Sequence, residues 1–307
     1  MKIAVIGAGG VGAGFGAALA KAGADVTFIA RGAHLAAMKS EGLKVTGGRG
    51  ETHLKPTHAT DNPAEIGHVD IVLFCVKLWD VESAGAQIKP LIGPETAVIP
   101  LQNGVDAAER LVPILGSSAV MGGVAQISAA IVKPGVILQV GSFMRMIFGE
   151  LDGKRSKRGE DFLALCLKAG FDATLSDQIA TELWMKFILL AANASIMAAA
   201  RLPIGKLRDD PDLRAVFEAA WQETIAVGRA KGVTLPSDAV ERISEFISHV
   251  PPEMKPSMAL DLERGNRLEL PWLGGKVVAL GRELGIPTPT HSLMYALLKP
   301  YIMGTPA

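Results

Sequence analysis

The chain has 307 residues, and its 31 basic side chains balance its 31 acidic ones. This length exceeds that of one typical domain, so two domains are expected, and the 49% hydrophobic content predicts a large core. A chain without net charge gives no support for nucleic acid or an anionic membrane as its main partner. The N-terminus lacks the pattern of a secretory signal, and no clean apolar run reaches the length of a membrane helix, so we expect a cytoplasmic protein.

The first thirty residues show a strand, a glycine-rich loop, a helix and a second strand. The apolar run Ile3–Ile6 is typical of a buried parallel strand, Phe15–Ala22 is helix-like, and Asp25–Ala30 indicates the next strand. The loop between strand and helix has the spacing G-x-G-x-x-G, which in this context predicts a dinucleotide-binding site. The alternative is a glycine-rich turn without a ligand.

The residues of this loop have separate predicted roles in binding the coenzyme. The first glycine permits the tight turn, the second lets the backbone approach the pyrophosphate, and the third lets helix and strand pack closely. The pyrophosphate would then meet the free N–H groups at the positive end of the helix. The predicted coenzyme-binding residues of the loop are Gly7, Gly9, Gly10, Val11 and Gly12.

The end of the second strand predicts which dinucleotide is bound. A site for NAD has an acidic residue there, but this chain has Arg31 and no acid before Glu41. An arginine can grip the 2′-phosphate of NADP(H) with charge-assisted hydrogen bonds. Arg31 therefore favours NADP(H) over NAD and FAD, and the alternative is a solvated surface arginine.

Two further strands, at 68–77 and 96–104, each end in a polar side chain. These are Lys77 and Asn103, and ligands of open α/β sheets bind beyond the carboxyl ends of the strands. Both are therefore candidates for contact with coenzyme or substrate. The alternatives are a solvated loop lysine and a turn-forming Asn-Gly pair.

Shorter strands follow between 119 and 149. The segments "VILQV" and "RMIFGE" are predicted as two of them, with Pro134-Gly135 as a turn, and Phe171–Leu175 is predicted as one more.

From about residue 177 the pattern becomes helical. We predict an α/β protein with a Rossmann-type dinucleotide-binding domain over 1–176 and an all-helical substrate and dimerisation domain over 177–307. A cleft between the two would be the natural substrate site, and the apolar helical half suits a homodimer face as well as a core. The predicted helices are 178–200, 211–231, 236–249, 253–265, 272–284 and 290–299.

Lys186 stands at the head of an apolar helical segment, "FILLAANASIMAAA". A buried ammonium group is costly unless it is paired or used in chemistry. The alternative is a lysine whose stem packs against apolar surface while its charged end stays in water.

Several motifs occur in one order along the whole chain: the glycine loop, Arg31, "VKLWD", "LQNG", "ELWMKF", "KPSMALDLERGNRLEL" and "GRELGIPTPTH". Together they resemble the ketopantoate reductase (2-dehydropantoate 2-reductase) family. The resemblance implies that NADPH delivers a hydride to C2 of a 2-keto acid, within pantothenate biosynthesis and the coenzyme A pathway. It also implies that Lys186 is the general acid that protonates the nascent alkoxide.

Other positions take their expected roles from the same resemblance. Asn103 matches a residue that binds near both nicotinamide and substrate, and Lys77 matches a lysine near the coenzyme phosphates and the substrate. Glu269 matches an acid that hydrogen-bonds the reacting oxygen and tunes the lysine, and Ser257 matches a ligand of the substrate carboxylate. No metal is implied.

The chain departs from the family pattern along one wall of the expected substrate site. The family places asparagines four and eight residues after the lysine, where this chain has Leu190 and Ala194. Asn193, a candidate substrate ligand, is one residue early and so turned by about 100° around the helix. Pro271 stands where the family often has a carboxylate.

These departures keep two alternatives to ketopantoate reduction open. One is a related enzyme that reduces a more apolar 2-keto acid or an imine, since recognition of a hydroxylated substrate depends on paired hydrogen bonds. The other is a module that senses NADP(H) without chemistry, because a fold does not fix a function.

Overall fold

The computed structural model describes residues 1–306. They form two compact units. The first consists of Met1–Gln102 and Asp106–Ile179, and the second consists of Asn103–Val105 together with the chain from Ala180 onward. The expected fold class is confirmed: an α/β unit with a parallel sheet precedes an all-helical one.

The described residues contain ten strands, all in the first unit. In chain order they are β1 (Lys2–Ile6), β2 (Asp25–Ile29), β3 (Leu43–Gly47), β4 (Thr52–Leu54), β5 (Ala59–Thr60), β6 (Val69–Phe74), β7 (Ile92–Pro100), β8 (Met121–Lys133), β9 (Val136–Glu150) and β10 (Asp172–Leu175).

The first sheet is wholly parallel, in the order β5-β2-β1-β6-β7. Its central strand β1 has four of its five residues buried, as expected for a strand covered on both faces. The helices that alternate with strands in this unit are α1 (Gly10–Lys21), α2 (Gly32–Ser40), α3 (Val81–Gln87), α4 (Ala107–Leu115) and α5 (Lys157–Lys168).

The second sheet differs from the prediction of separate short strands. The segments "VILQV" and "RMIFGE" belong to one 15-residue strand, β9. The two segments form one strand because β8 pairs antiparallel with both parts of it, over 136–139 and 144–150, with a register shift between Ile127 and Ala129. The other edge of β9 pairs with β3 in its first part and with β10 in its second.

The first helix also differs from the prediction, since α1 begins at Gly10 instead of Phe15. Glycine is a poor helix former, which is why the sequence predicts a later start. The glycines are required by packing, because a Cβ atom at Gly12 would collide with the carbonyl oxygen of Gly7. A Cβ atom at Gly16 would lie 2.5 Å from the Phe28 ring.

The second unit packs its helices around α6, as the apolar pattern predicts. Its interior is formed by the apolar side of α6 with residues of the helices around it. A five-residue helix, α7, was not predicted. The helices are α6 (Ile179–Ala200, whose first residue belongs to the first unit), α7 (Ile204–Arg208), α8 (Pro211–Ala230), α9 (Ala239–Ser248), α10 (Ser257–Glu263), α11 (Gly274–Leu284) and α12 (Pro289–Leu298).

By length and composition alone, α6 could cross a membrane, a property that the sequence analysis did not expect of any segment. A central helix of a folded core has the same composition, and 61% of the apolar window of α6 is buried within the protein.

Candidate active site

The glycine loop joins the end of β1 to the start of α1 and has one open position. Gly7 has a φ of +88°, and a Cβ atom there would lie 2.7 Å from the carbonyl carbon of Cys75, so only glycine fits. At Gly9 a Cβ atom would meet nothing within 4 Å. The protein itself therefore does not require a glycine at position 9, and the space above it is free for a ligand.

The start of α1 fits the pyrophosphate of a dinucleotide. Gly9 is the N-cap residue but offers no side chain to cap the helix, and the first turn contains no acidic residue. The positive end of the helix is thus not neutralised by the chain itself. Gly10 and Val11 begin the helix, and Gly10 packs so closely on the carbonyl group of Ala129 that a side chain would collide with it.

Arg31 lies at the N-cap of α2, directly after β2, with its side chain 83% exposed. Its Nη2 atom is 3.3 Å from Oδ2 of Asp80. Lys77 follows β6 and is exposed, with its Nζ atom 5.5 Å from the centre of the Trp79 ring. The contribution of both residues to coenzyme binding stays a prediction.

In the second unit, Lys186 lies in the second turn of α6 and is half-buried. Its Nζ atom donates a hydrogen bond to Oδ1 of Asn103, at 2.9 Å. The two residues are 83 positions apart in the chain. Two of the predicted site residues are therefore brought into direct contact.

Glu269 is the third member of this group. It is 7% exposed, between the buried residues Leu268 and Leu270, and its negative charge acts on Lys186. Burial lowers the pKa of Lys186 to about 8, although the Glu269 carboxylate opposes this shift by favouring the charged ammonium. A lysine with such a pKa can release a proton near neutral pH and can therefore serve as a general acid.

The remaining predicted substrate ligands have different surroundings. Ser257 is exposed at the first position of α10. Asn193 is only 4% exposed, and its Oδ1 atom accepts no hydrogen bond from the described residues. Ala194 is buried in the core, whereas Leu190, one turn after Lys186, is half-buried. The roles of Ser257 and Asn193 stay predictions.

Two residues that contact the candidate side chains were not predicted from the sequence. Asp80 pairs with Arg31, and Trp79 lies beside Lys77. Both belong to the motif "VKLWD", so the motif itself was the available indication. Among the residues that the structure describes, no group of three or more His, Cys, Asp or Glu side chains is arranged to hold a metal ion.

Comparison with family models gives two matches that together span most of the chain. Residues 3–153 match the model described as "Ketopantoate reductase PanE/ApbA", and residues 178–301 match "Ketopantoate reductase PanE/ApbA C terminal".

Individual proteins show the same similarity. A relative from Mesorhizobium japonicum named 2-dehydropantoate 2-reductase is 32% identical, over 97% of each chain. The crystal structure of a PanE/ApbA family ketopantoate reductase from Ralstonia eutropha is 33% identical, with a TM-score of 0.90 over 98% of each chain. A ternary complex of D-mandelate dehydrogenase with NADH and anilino(oxo)acetate shares the fold, with a TM-score of 0.90 over 98% of each chain at 20% identity.

The two glycines at positions 9 and 12 should respond differently to alanine. In Gly9→Ala the added methyl group enters open space, so we expect an unchanged melting temperature and at least about tenfold weaker dinucleotide binding. In Gly12→Ala the methyl group collides with the loop and with Val5, so we expect a loss of about 1–3 kcal/mol in the free energy of unfolding. Calorimetry and coenzyme titration of both variants measure these effects. Unweakened coenzyme binding by Gly9→Ala would contradict the assignment of the open position.

Proposed function

The chain belongs to the ketopantoate reductase family and is an oxidoreductase, and on this basis we propose that it reduces 2-dehydropantoate to pantoate with NADPH. The observation that carries the proposal is the contact between Lys186 and Asn103 beside buried Glu269, with the pKa of Lys186 lowered to about 8. A sensing module without chemistry would have no use for a proton donor whose pKa is lowered in this way.

In this proposal the residues of the chain have defined tasks. The glycine loop would hold NADPH, which when bound would supply the hydride for C2 of the ketone. Lys186 donates a proton to the oxygen on which negative charge develops. Asn103 orients the ammonium group of Lys186, and Glu269 keeps it protonated by favouring its charged form. Ser257 and Asn193 are the proposed further contacts to substrate.

The preference for NADPH over NADH rests on Arg31. Its exposed guanidinium group follows β2, where an acidic residue would repel a 2′-phosphate. Nη2 of Arg31 lies 3.3 Å from Oδ2 of Asp80, but the Arg31 side chain stays exposed. Its guanidinium group is therefore accessible to a phosphate. Lys77 is a second cation, beyond the end of β6, for the same coenzyme.

A second candidate substrate is a more apolar 2-keto acid. It is favoured by Leu190, which places a half-buried isobutyl group one helical turn from Lys186, and by the buried methyl group of Ala194. Neither side chain can form a hydrogen bond with a substrate hydroxyl group. That the same fold occurs in a protein named D-mandelate dehydrogenase is in keeping with such a substrate.

We assign coenzyme binding to residues 1–176 and substrate binding to residues 177–307, the latter also offering the surface for a homodimer. The proposed partner is a small 2-keto acid, and the proposed location is the cytoplasm.

Removal of the proposed acid tests the reaction. Lys186→Ala should lower kcat for ketopantoate at least about a hundredfold while NADPH still binds, because only the proton donor is lost. The wild-type kcat/KM should be level below pH 8 and fall above it, because Lys186, with a pKa of about 8, must be protonated to act. Oxidation of NADPH followed at 340 nm measures both effects.

Two control variants sharpen this test. Lys186→Arg keeps the charge but cannot release a proton in this pH range, so it should be as inactive as Lys186→Ala. Glu269→Gln should shift the fall in kcat/KM to lower pH, because it removes the carboxylate that raises the pKa of Lys186. Intact turnover in Lys186→Ala would rule out its role as the acid.

The substrate is tested by comparing ketopantoate with branched-chain 2-keto acids. Leu190→Asn should raise the ratio of kcat/KM for ketopantoate to that for the apolar acids by about tenfold, because it adds a partner for the hydroxyl group. The conservative change Leu190→Met is the matched control and should leave the ratio nearly unchanged. A wild-type preference for the apolar acids would support the second candidate.

Coenzyme selection is tested at Arg31. We expect Arg31→Ala to weaken NADPH binding by about tenfold to a hundredfold and to leave NADH binding nearly unchanged, because only the 2′-phosphate loses a partner. Titration with each coenzyme gives both dissociation constants. An equal loss for the two coenzymes would show that Arg31 does not recognise the 2′-phosphate.

A further inference from the structure

The short segment after β6 carries Lys77, and its backbone is fixed on several sides within the first unit. Cys75 N donates to Ile6 O at 2.8 Å, and Leu101 N donates to Phe74 O at 2.9 Å. The glycine loop presses on the same segment, because a Cβ atom at Gly7 would lie 2.8 Å from Val76 N. The position of this segment therefore also limits where the glycine loop can lie.

Gln102 holds this segment from the end of β7. Its side chain is buried, with the residue 7% exposed, and Nε2 donates to both Phe74 O, at 3.0 Å, and Val76 O, at 3.1 Å. Because both partners are carbonyl oxygens, only the amide nitrogen can face them. One side chain thus ties together two carbonyl groups that precede Lys77.

Arg110, on α4, holds the other side of Lys77. Its Nη2 atom donates to Leu78 O at 2.7 Å. The guanidinium group is itself fixed by two hydrogen bonds to the Glu82 carboxylate, of 2.7 and 2.8 Å, and it is only 17% exposed. These hydrogen bonds to Arg110 hold the pKa of Glu82 below its usual range.

Alternate carbonyl groups, at positions 74, 76 and 78, are therefore bound by two side chains on either side of Lys77. A displacement of about 1 Å in a catalytic or binding group can cost about a hundredfold in rate. Because the backbone is fixed both before and after Lys77, the position of the Lys77 Cα atom is fixed as well.

We propose that Gln102 and Arg110 are positioning residues that act through Lys77 on coenzyme and substrate. This inference rests on the proposed function, in which Lys77 contacts the coenzyme. It goes beyond that function because Gln102 and Arg110, which take no part in the chemistry, are assigned the task of fixing the backbone that carries Lys77.

A double-mutant cycle with Lys77→Ala tests the inference. Gln102→Met keeps the side-chain volume but removes the amide group that donates to Phe74 O and Val76 O. Arg110→Lys removes the guanidinium group that binds both Leu78 O and the Glu82 carboxylate. Each should lower kcat/KM and weaken NADPH binding by about tenfold in the wild-type background. In the Lys77→Ala background each should have less than about a twofold effect, because the group that they position is gone.

Matched controls in the same unit exclude a general loss of stability. Arg158 binds Glu150 through two hydrogen bonds and donates to Thr96 O, at 16% exposure, so Arg158→Lys breaks the same kind of contact elsewhere. Gln139→Met likewise changes another buried glutamine, which donates to Phe143 O. Both controls should leave kcat/KM and NADPH binding within about twofold of the wild type, and unfolding midpoints are measured for all variants.

The outcomes separate the two proposals. Effects of Gln102→Met and Arg110→Lys that persist undiminished in the Lys77→Ala background would overturn the positioning role even if the wild type reduces keto acids. If the wild type reduces no keto acid, the proposed function fails. The double-mutant cycle is then evaluated from the NADPH dissociation constants alone. Loss of the effect on binding in the Lys77→Ala background supports the positioning role, and an additive effect overturns it.

Discussion

The close packing of α1 between the two sheets of the first unit is the constraint on which the coenzyme loop depends. Gly16 faces Phe28, where a Cβ atom would lie 2.5 Å away, and Gly14 faces Ile127 at 2.8 Å. Each glycine in a helix costs about 1 kcal/mol relative to alanine, so the contacts with the sheets must offset a poor intrinsic helix. The same close packing places the start of α1 directly after β1, where Gly9 remains uncovered.

The fold was predictable where the determining information is local. The strand β1 is a short apolar run, β2 is rich in β-branched and aromatic residues, and the helices after residue 177 have regular apolar periods, so their identity follows from neighbouring residues. The start of α1 and the length of β9 were not predictable. Both are decided by partners distant in the chain, since β8 completes the pairing of β9 and Gly10, at the start of α1, packs on the carbonyl group of Ala129.

In the candidate site, too, the residues could be predicted from local patterns, whereas their contacts could not. Arg31, Lys77 and Asn103 could be singled out because each stands at the carboxyl end of a predicted strand, and Lys186 because a charge precedes an apolar run. No periodicity shows that Lys186 contacts Asn103, which depends on tertiary packing across 83 positions. For the same reason, neither the burial of Glu269 nor its electrostatic effect on Lys186 could be derived from sequence patterns.

Burial and the Glu269 charge act on Lys186 in opposite directions, and the proposed reaction needs both. An ordinary lysine, with a pKa near 10.4, would be fully protonated at neutral pH but a weak acid. Burial alone would make it a stronger acid and would also leave less of it protonated. Glu269 stabilises the charged ammonium group and so limits the fall in the pKa of Lys186 to about 8. At this pKa most of the group is still protonated at neutral pH, yet it releases its proton more easily than an ordinary lysine. In this arrangement the buried carboxylate sets how far the lysine is activated.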